Sequence, residues 1–144
     1  MPETRDKDPY KLQRFVDAQD PVFADVCAEL RAGRKSSHWA WFIFPQILGL
    51  GASSDSRYYA ISGLDEAKAY LQHPILGPRL IECCRLVMLV HDRPIREILG
   101  EIDSMKFRSC LTLFAHATPE NQPFTAALAK YFEGKEDPLT IQKL

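Results

Sequence analysis

The amino-acid sequence predicts an all-α fold: a single domain of about eight short helices in an irregular bundle. Three observations lead there. Asp8-Pro9, Asp20-Pro21 and Asp137-Pro138 each precede an apolar-periodic stretch. Such a pair places Asp at the N-cap and Pro at the first helical residue, where its missing N–H is no loss. Gly33, Gly100 and Gly134 follow periodic stretches, where a helix-ending glycine belongs. Two-residue alternation is scarce and no Asn-Gly or Asp-Gly offers a hairpin turn.

In order along the chain, Pro9 to Asp17 is expected to bury Leu12, Phe15 and Val16, and Pro21 to Ala32 to bury Val22, Phe23, Val26, Cys27 and Leu30. Ser36 or Ser37 caps a short helix that stops at Phe44, because Pro45 disfavours helical dihedrals in its predecessor. Ser54 to Ile61 follows. Leu64 to Gln72 comes after a Ser62-x-x-Asp65 capping box. The longest helix runs from about Pro78 to His91, with Leu80, Ile81, Cys84, Val87, Met88 and His91 on one side. Pro94 to Leu99 is short, and Asp103 to Ala117 carries Phe107, Cys110, Leu111 and Phe114 at helical spacing. Asn121 caps a helix to Phe132 and Asp137 one to about Lys143. "WFIF" and "RLVMLV" remain ambiguous with buried strands, since short apolar runs have no decisive period.

Bulk properties narrow the function classes. A chain of 144 residues suits one core, residues 1–144, with 1–7 expected as a flexible tail. A net charge of −1 gives no overall footprint for nucleic acid. The start "MPETRDKDPYK" lacks the apolar stretch of a secretory signal, and "WAWFIF" and "LVMLV" are far shorter than a membrane span. Cys27, Cys83, Cys84 and Cys110 form no CxxC and are expected as reduced thiols, which fits a cytoplasmic protein. Oligomeric state is not legible.

Several motifs fail. "GLGASS" breaks the dinucleotide pattern at Ser54, and "GRKS" interrupts the Gly-Lys pair of a phosphate loop with Arg34. His38, His73, His91 and His116 are scattered, so no metal site is expected, and no cofactor is implied. There is no G-x-S-x-G elbow, and Cys110 is expected to be core.

What remains is "GRKSSHWAWFIFPQ", Gly33 to Gln46. On a helix His38 shares a face with Trp41 and Phe42, and Trp39 with Ile43. Burial of Trp39, Trp41, Phe42, Ile43 and Phe44 would contribute roughly 10 kcal/mol gross, so this block is expected to be core. Its polar flank has two readings. In the first, Arg31, Arg34 and Lys35 complement a helix C-terminus. Alternatively, free N–H groups, Ser36, Ser37, His38 and the cations make an anion seat, with the tryptophans beside it for a flat ligand. A second cluster, Lys106, Arg108, Ser109 and Thr112, is expected as a solvated helix face, or, lying against the His38 segment, as the other half of one pocket.

"YKLQRFVDAQ", "ELRAGRKSSHWAWFIFPQILGLG", "YLQHPILGPRL" and "KFRSCLTLF" resemble the bacterial domain-of-unknown-function family 1810 over nearly the whole chain. The resemblance implies a compact all-α fold and no established activity. The label calpastatin that some members carry does not suit this composition, because a calpain inhibitor of that name is disordered. Ala40 stands where the family more often has a larger apolar residue such as Met, which bears on packing alone.

Two functions are therefore expected as alternatives. The first is binding of a small anionic molecule, with enzymatic action on a phosphorylated or nucleotide-like compound left open. Arg34, Lys35 and Ser37 would hold the anion, His38 would be the acid/base residue and Trp39 or Trp41 would stack. Gln46, Lys106 and Ser109 would complete that pocket. The second is a non-catalytic protein–protein interaction module whose basic turn meets an acidic partner.

Overall fold

Burial in the computed structural model, which describes residues 8–144, is organised around one helix. Ten helices occur among the described residues: α1 (Gln13–Gln19), α2 (Phe23–Arg31), α3 (Ala40–Ile43), α4 (Ser54–Tyr58), α5 (Leu64–Gln72), α6 (Leu76–Met88), α7 (Ile95–Leu99), α8 (Glu101–Ala117), α9 (Phe124–Phe132) and α10 (Pro138–Ile141). The fold is all-α. Each of the ten falls within or overlaps one of the ten segments read from the sequence, where their total was put at about eight. The tail expected over 1–7 lies outside the described residues.

Helix α8 is the axis, touching α3, α5, α7, α9 and α10, while α6 packs on α2, α5 and α9. Aromatic rings from distant segments meet on it. Phe107 lies 4.6 Å from Phe44, and Phe114 lies 5.2 Å from Tyr70 and 6.0 Å from Phe124, separations at which tilted aromatic pairs attract. Ser109 and Thr112 are buried, so the expected solvated face of this helix is a correction: α10 covers it. Asp137 fastens that cover. Its carboxylate accepts from the Ser109 and Thr140 hydroxyls at 2.8 and 2.6 Å, and its N–H donates to Thr112 Oγ1 at 2.9 Å.

The start signals are partly displaced by tertiary contacts. Asp8 accepts the N–H groups of Leu12 and Gln13, although α1 begins only at Gln13. Asp20 instead pairs with Arg79 of α6 at 2.9 Å, and α2 starts at Phe23. The Ser62/Asp65 box is replaced: Glu66 accepts the Ser62 N–H at 2.8 Å and also holds Arg14 at 3.0 Å. Neither Ser36 nor Ser37 caps α3, which Trp39 precedes without a side-chain cap. Pro123, not Asn121, precedes α9. On α6, which stops at Met88 and so leaves His91 outside it, Ile81 is exposed and the buried side is Leu76, Leu80, Cys83, Cys84, Leu86 and Val87. Both ambiguous runs are helical where regular; the described residues hold one isolated parallel bridge, Ile47 with Ile61.

Two close approaches position the rest. At Gly77 of α6 a Cβ would lie 2.1 Å from the carbonyl oxygen of Leu71. Because that neighbour is backbone, α5 and α6 must separate to admit a methyl group. Gly77→Ala is expected to lower stability by about 1–3 kcal/mol, read from the urea midpoint; an unchanged midpoint would show that α5 and α6 do not need this contact. At Gly33 a φ of +75° ends α2, with N–H bonds from Gly33 to Leu30 O and from Arg34 to Glu29 O. That left-handed ending suits glycine and sends the chain sideways into the polar loop.

Candidate functional site

The loop after α2 is shaped by a carboxylate. Glu29 Oε1 accepts the N–H groups of Ser36 and Ser37 at 2.7 and 3.0 Å and the Trp39 indole N–H at 2.9 Å. Its Oε2 accepts the Ser37 hydroxyl at 2.6 Å. Burial pushes the Glu29 carboxyl up, but these donors outweigh it and hold it below its ordinary value. The donors that suggested an anion seat thus already surround an anion, and it belongs to the protein. Ser37 and Trp39 are engaged there; Trp39 is 2% exposed.

Beyond the loop lies a cleft of about 460 Å³ between residues 35–41 and the start of α8. Trp41, Ala40, Leu99 and Ile102 give it an apolar side; Lys35, His38, Glu101, Asp103 and Lys106 give it a polar one. Asp103 stands between two ammonium groups, 2.8 Å from Lys35 Nζ and 3.1 Å from Lys106 Nζ. All three side chains are largely shielded, at 7%, 15% and 20% exposure for Lys35, Lys106 and Asp103. Burial would raise the Asp103 carboxyl, yet hydrogen bonds from both lysines bring it below its usual range.

Each ammonium also lies over an indole: Lys35 is 5.0 Å from the Trp39 ring centre and Lys106 is 5.4 Å from that of Trp41. Lys35 is the more committed of the two. It also donates to the Ser37 carbonyl, while its backbone N–H donates to Ile98 O at 2.6 Å.

The structure brings Lys35, His38, Trp41 and Lys106 together, so the basic loop and the Lys106 helix do share one cleft. The other candidates do not line it. Arg34 is exposed one residue outside it, Gln46 sits half-buried beside the Ile47–Ile61 bridge, and Ser109 is buried against Asp137. Trp41 and Phe42 are only half-buried, so the apolar block divides into core (Trp39, Ile43, Phe44) and surface wall.

Sequence reasoning missed Glu29, Glu101 and Asp103. Asp103 had a signal, its i,i+3 spacing to Lys106. Glu29 had a fainter one, since an acid near a helix C-terminus opposes the helix dipole.

Among the described residues no group of three or more His, Cys, Asp or Glu is placed to hold a metal ion. No helix there is long and apolar enough to cross a membrane. All four cysteines are free and buried, and burial raises the thiol pKa of each, which makes them inert rather than nucleophilic.

The fold that carries this charged cleft is all-α, and it has a counterpart among solved structures. The chain is similar to the conserved hypothetical protein Rv1873 from Mycobacterium tuberculosis, known from a crystal structure. The two are 56% identical, with a TM-score of 0.94 over 95% of this chain and 98% of that one. No curated protein matches the chain. The profile of the family described as "Protein of unknown function (DUF1810)" matches residues 9–144; this chain belongs to that family.

Proposed function

We propose that this protein binds a small, flat molecule carrying an anionic group in the cleft between residues 35–41 and the start of α8. The observation that carries the reading is the Lys106 ammonium, held between Asp103 and the half-exposed ring of Trp41. A volume of about 460 Å³ suits a small ligand. A planar ring can lie against the indole, and its anionic group can take Lys106 while Lys35 retains Asp103. His38 lines the cleft but forms no hydrogen bond among the described residues. No neighbour therefore orients its imidazole as a catalytic base requires, and binding is better supported than turnover.

The second reading, a protein–protein interaction module, is favoured by Ile102 and Met105, which are 72% and 68% exposed on the same stretch of α8. A thermal-shift panel of nucleotides, sugar phosphates and aromatic carboxylates separates the two. A ligand at 100 times its Kd adds about 2.7 kcal/mol of stability. Lys106→Ala is expected to abolish that gain while moving the ligand-free melting temperature little. If every compound shifts wild type and Lys106→Ala alike, the cleft is not the binding site.

A further inference from the structure

The cleft is nearly neutral, and arginines without ion pairs lie on the neighbouring surface. Within the lining, Lys35 and Lys106 both pair with Asp103, and Glu101 supplies a second carboxylate. Such a lining accepts one anionic group and disfavours several in the same space.

The arginines are distributed differently. Arg14, Arg57 and Arg108 are tied to backbone carbonyls, and Arg79 and Arg85 to the carboxylates of Asp20 and Glu82. Arg31, Arg34, Arg93 and Arg96 are exposed, and no hydrogen bond or ion pair engages their guanidinium groups among the described residues; Arg31 lies in the field of Glu82 on α6, which leaves the other three. Asp92, Glu97 and Glu133 share that stretch of surface without pairing with them.

Arg34 and Arg93 are near one another for reasons visible in the backbone, and Arg96 lines a second cleft with Arg93, Asp92, Lys130 and Glu133. The side chain of Arg93 lies over Gly33, with Cδ 3.6 Å from where a Cβ would stand, and Gly33 adjoins Arg34. The Lys35 N–H bond to Ile98 O pins this loop onto α7. Arg96 stands on that helix one turn before Leu99, which lines the cleft. Arg34 therefore stands beside the saturated Lys35 at the edge of the cleft, with Arg93 against the turn that precedes it and Arg96 on the helix to which the loop is pinned.

We infer that the ligand of the cleft is polyphosphorylated: its flat ring lies on Trp41, and a chain of two or more phosphates leaves the cleft over Arg34, Arg93 and Arg96. This rests on the cleft reading above and adds the charge and direction of the ligand. Guanidinium forks match phosphate oxygens two at a time, and their lack of protein partners leaves those donors available without breaking an ion pair.

Calorimetric titration with adenosine mono-, di- and triphosphate at low salt tests it. Affinity is expected to rise about tenfold or more from mono- to triphosphate, and added salt should shrink that gain. The triple variant Arg34→Gln, Arg93→Gln, Arg96→Gln is expected to remove the gain with its melting temperature unchanged, since all three positions are exposed. Trp41→Ala is expected to weaken all three nucleotides. Equal affinity for mono- and triphosphate, or a gain that survives in the triple variant, overturns the inference and leaves the cleft reading standing. Binding that ignores Trp41→Ala overturns the cleft reading, and no binding of any of the three by wild type overturns the polyphosphate inference, the cleft reading then resting on the thermal-shift panel.

Discussion

Trp39→Ala is expected to lower stability by about 3–5 kcal/mol, the range for truncating a large buried aromatic, whereas Trp41→Ala is expected to lower it by no more than about half as much. The two indoles are two residues apart but have different surroundings. Trp39 is 2% exposed, lies 6.0 Å from Phe44, and gives its indole N–H to Glu29. Removing it opens a cavity and takes one donor from a carboxylate. Trp41 has one face toward the cleft and Lys106, so part of its apolar area stays in water in the folded state. Denaturant titration of both variants decides the matter: equal losses would mean that Trp41 is core and that the cleft lacks its aromatic wall.

Glu29→Ala is the second large effect, about 2–4 kcal/mol. Hydrogen bonds to a charged acceptor contribute more than neutral ones, and the Trp39 N–H would be left buried without a partner. Because Glu29 holds the loop carrying Lys35 and His38, this variant is also expected to lose ligand binding. Glu29→Gln, which keeps an acceptor for some of the donors, should fall between it and wild type. A variant with wild-type stability would show that the loop is held by other contacts.

Acid should reproduce part of this change. The Glu29 carboxyl is lowered in the folded protein from an ordinary value of 4.5. Its stabilisation is therefore complete above that value and lost as pH falls through the lower, folded one. Asp103 and Asp137 are shifted in the same direction despite burial, through the Lys35 and Lys106 pair and the Thr140 and Ser109 hydroxyls respectively. Melting temperature is expected to hold down to about pH 5 and to drop below it, with a smaller drop in Glu29→Ala.

The fold class was legible because Asp-Pro and glycine punctuation are local: Pro138 begins α10 and Gly33 ends α2, as read. Legibility failed where a distant partner intervened. Asp20 looks like a cap until Arg79 arrives from α6, and the polar stripe of Ser109 and Thr112 looks solvated until α10 folds over it. The same holds for the site. Lys35, His38, Trp41 and Lys106 were visible as residue types, and their meeting in one cleft depends on α8 lying against the loop. Ser37 and Trp39 had the chemistry of an anion seat, but no local pattern could show that Glu29 already fills it.

The Ile47–Ile61 bridge has a consequence for how this protein can vary. Bonds from Leu48 N–H to Ile61 O and from Ile61 N–H to Gln46 O tie the chain at both feet of the excursion 48–60, so its tip can change length without disturbing the helices below. Doubling such an excursion costs only about 0.6 kcal/mol of closure entropy. The segment around Gly51–Ser53, exposed throughout, is therefore the place to graft a reporter peptide or accept an inserted domain.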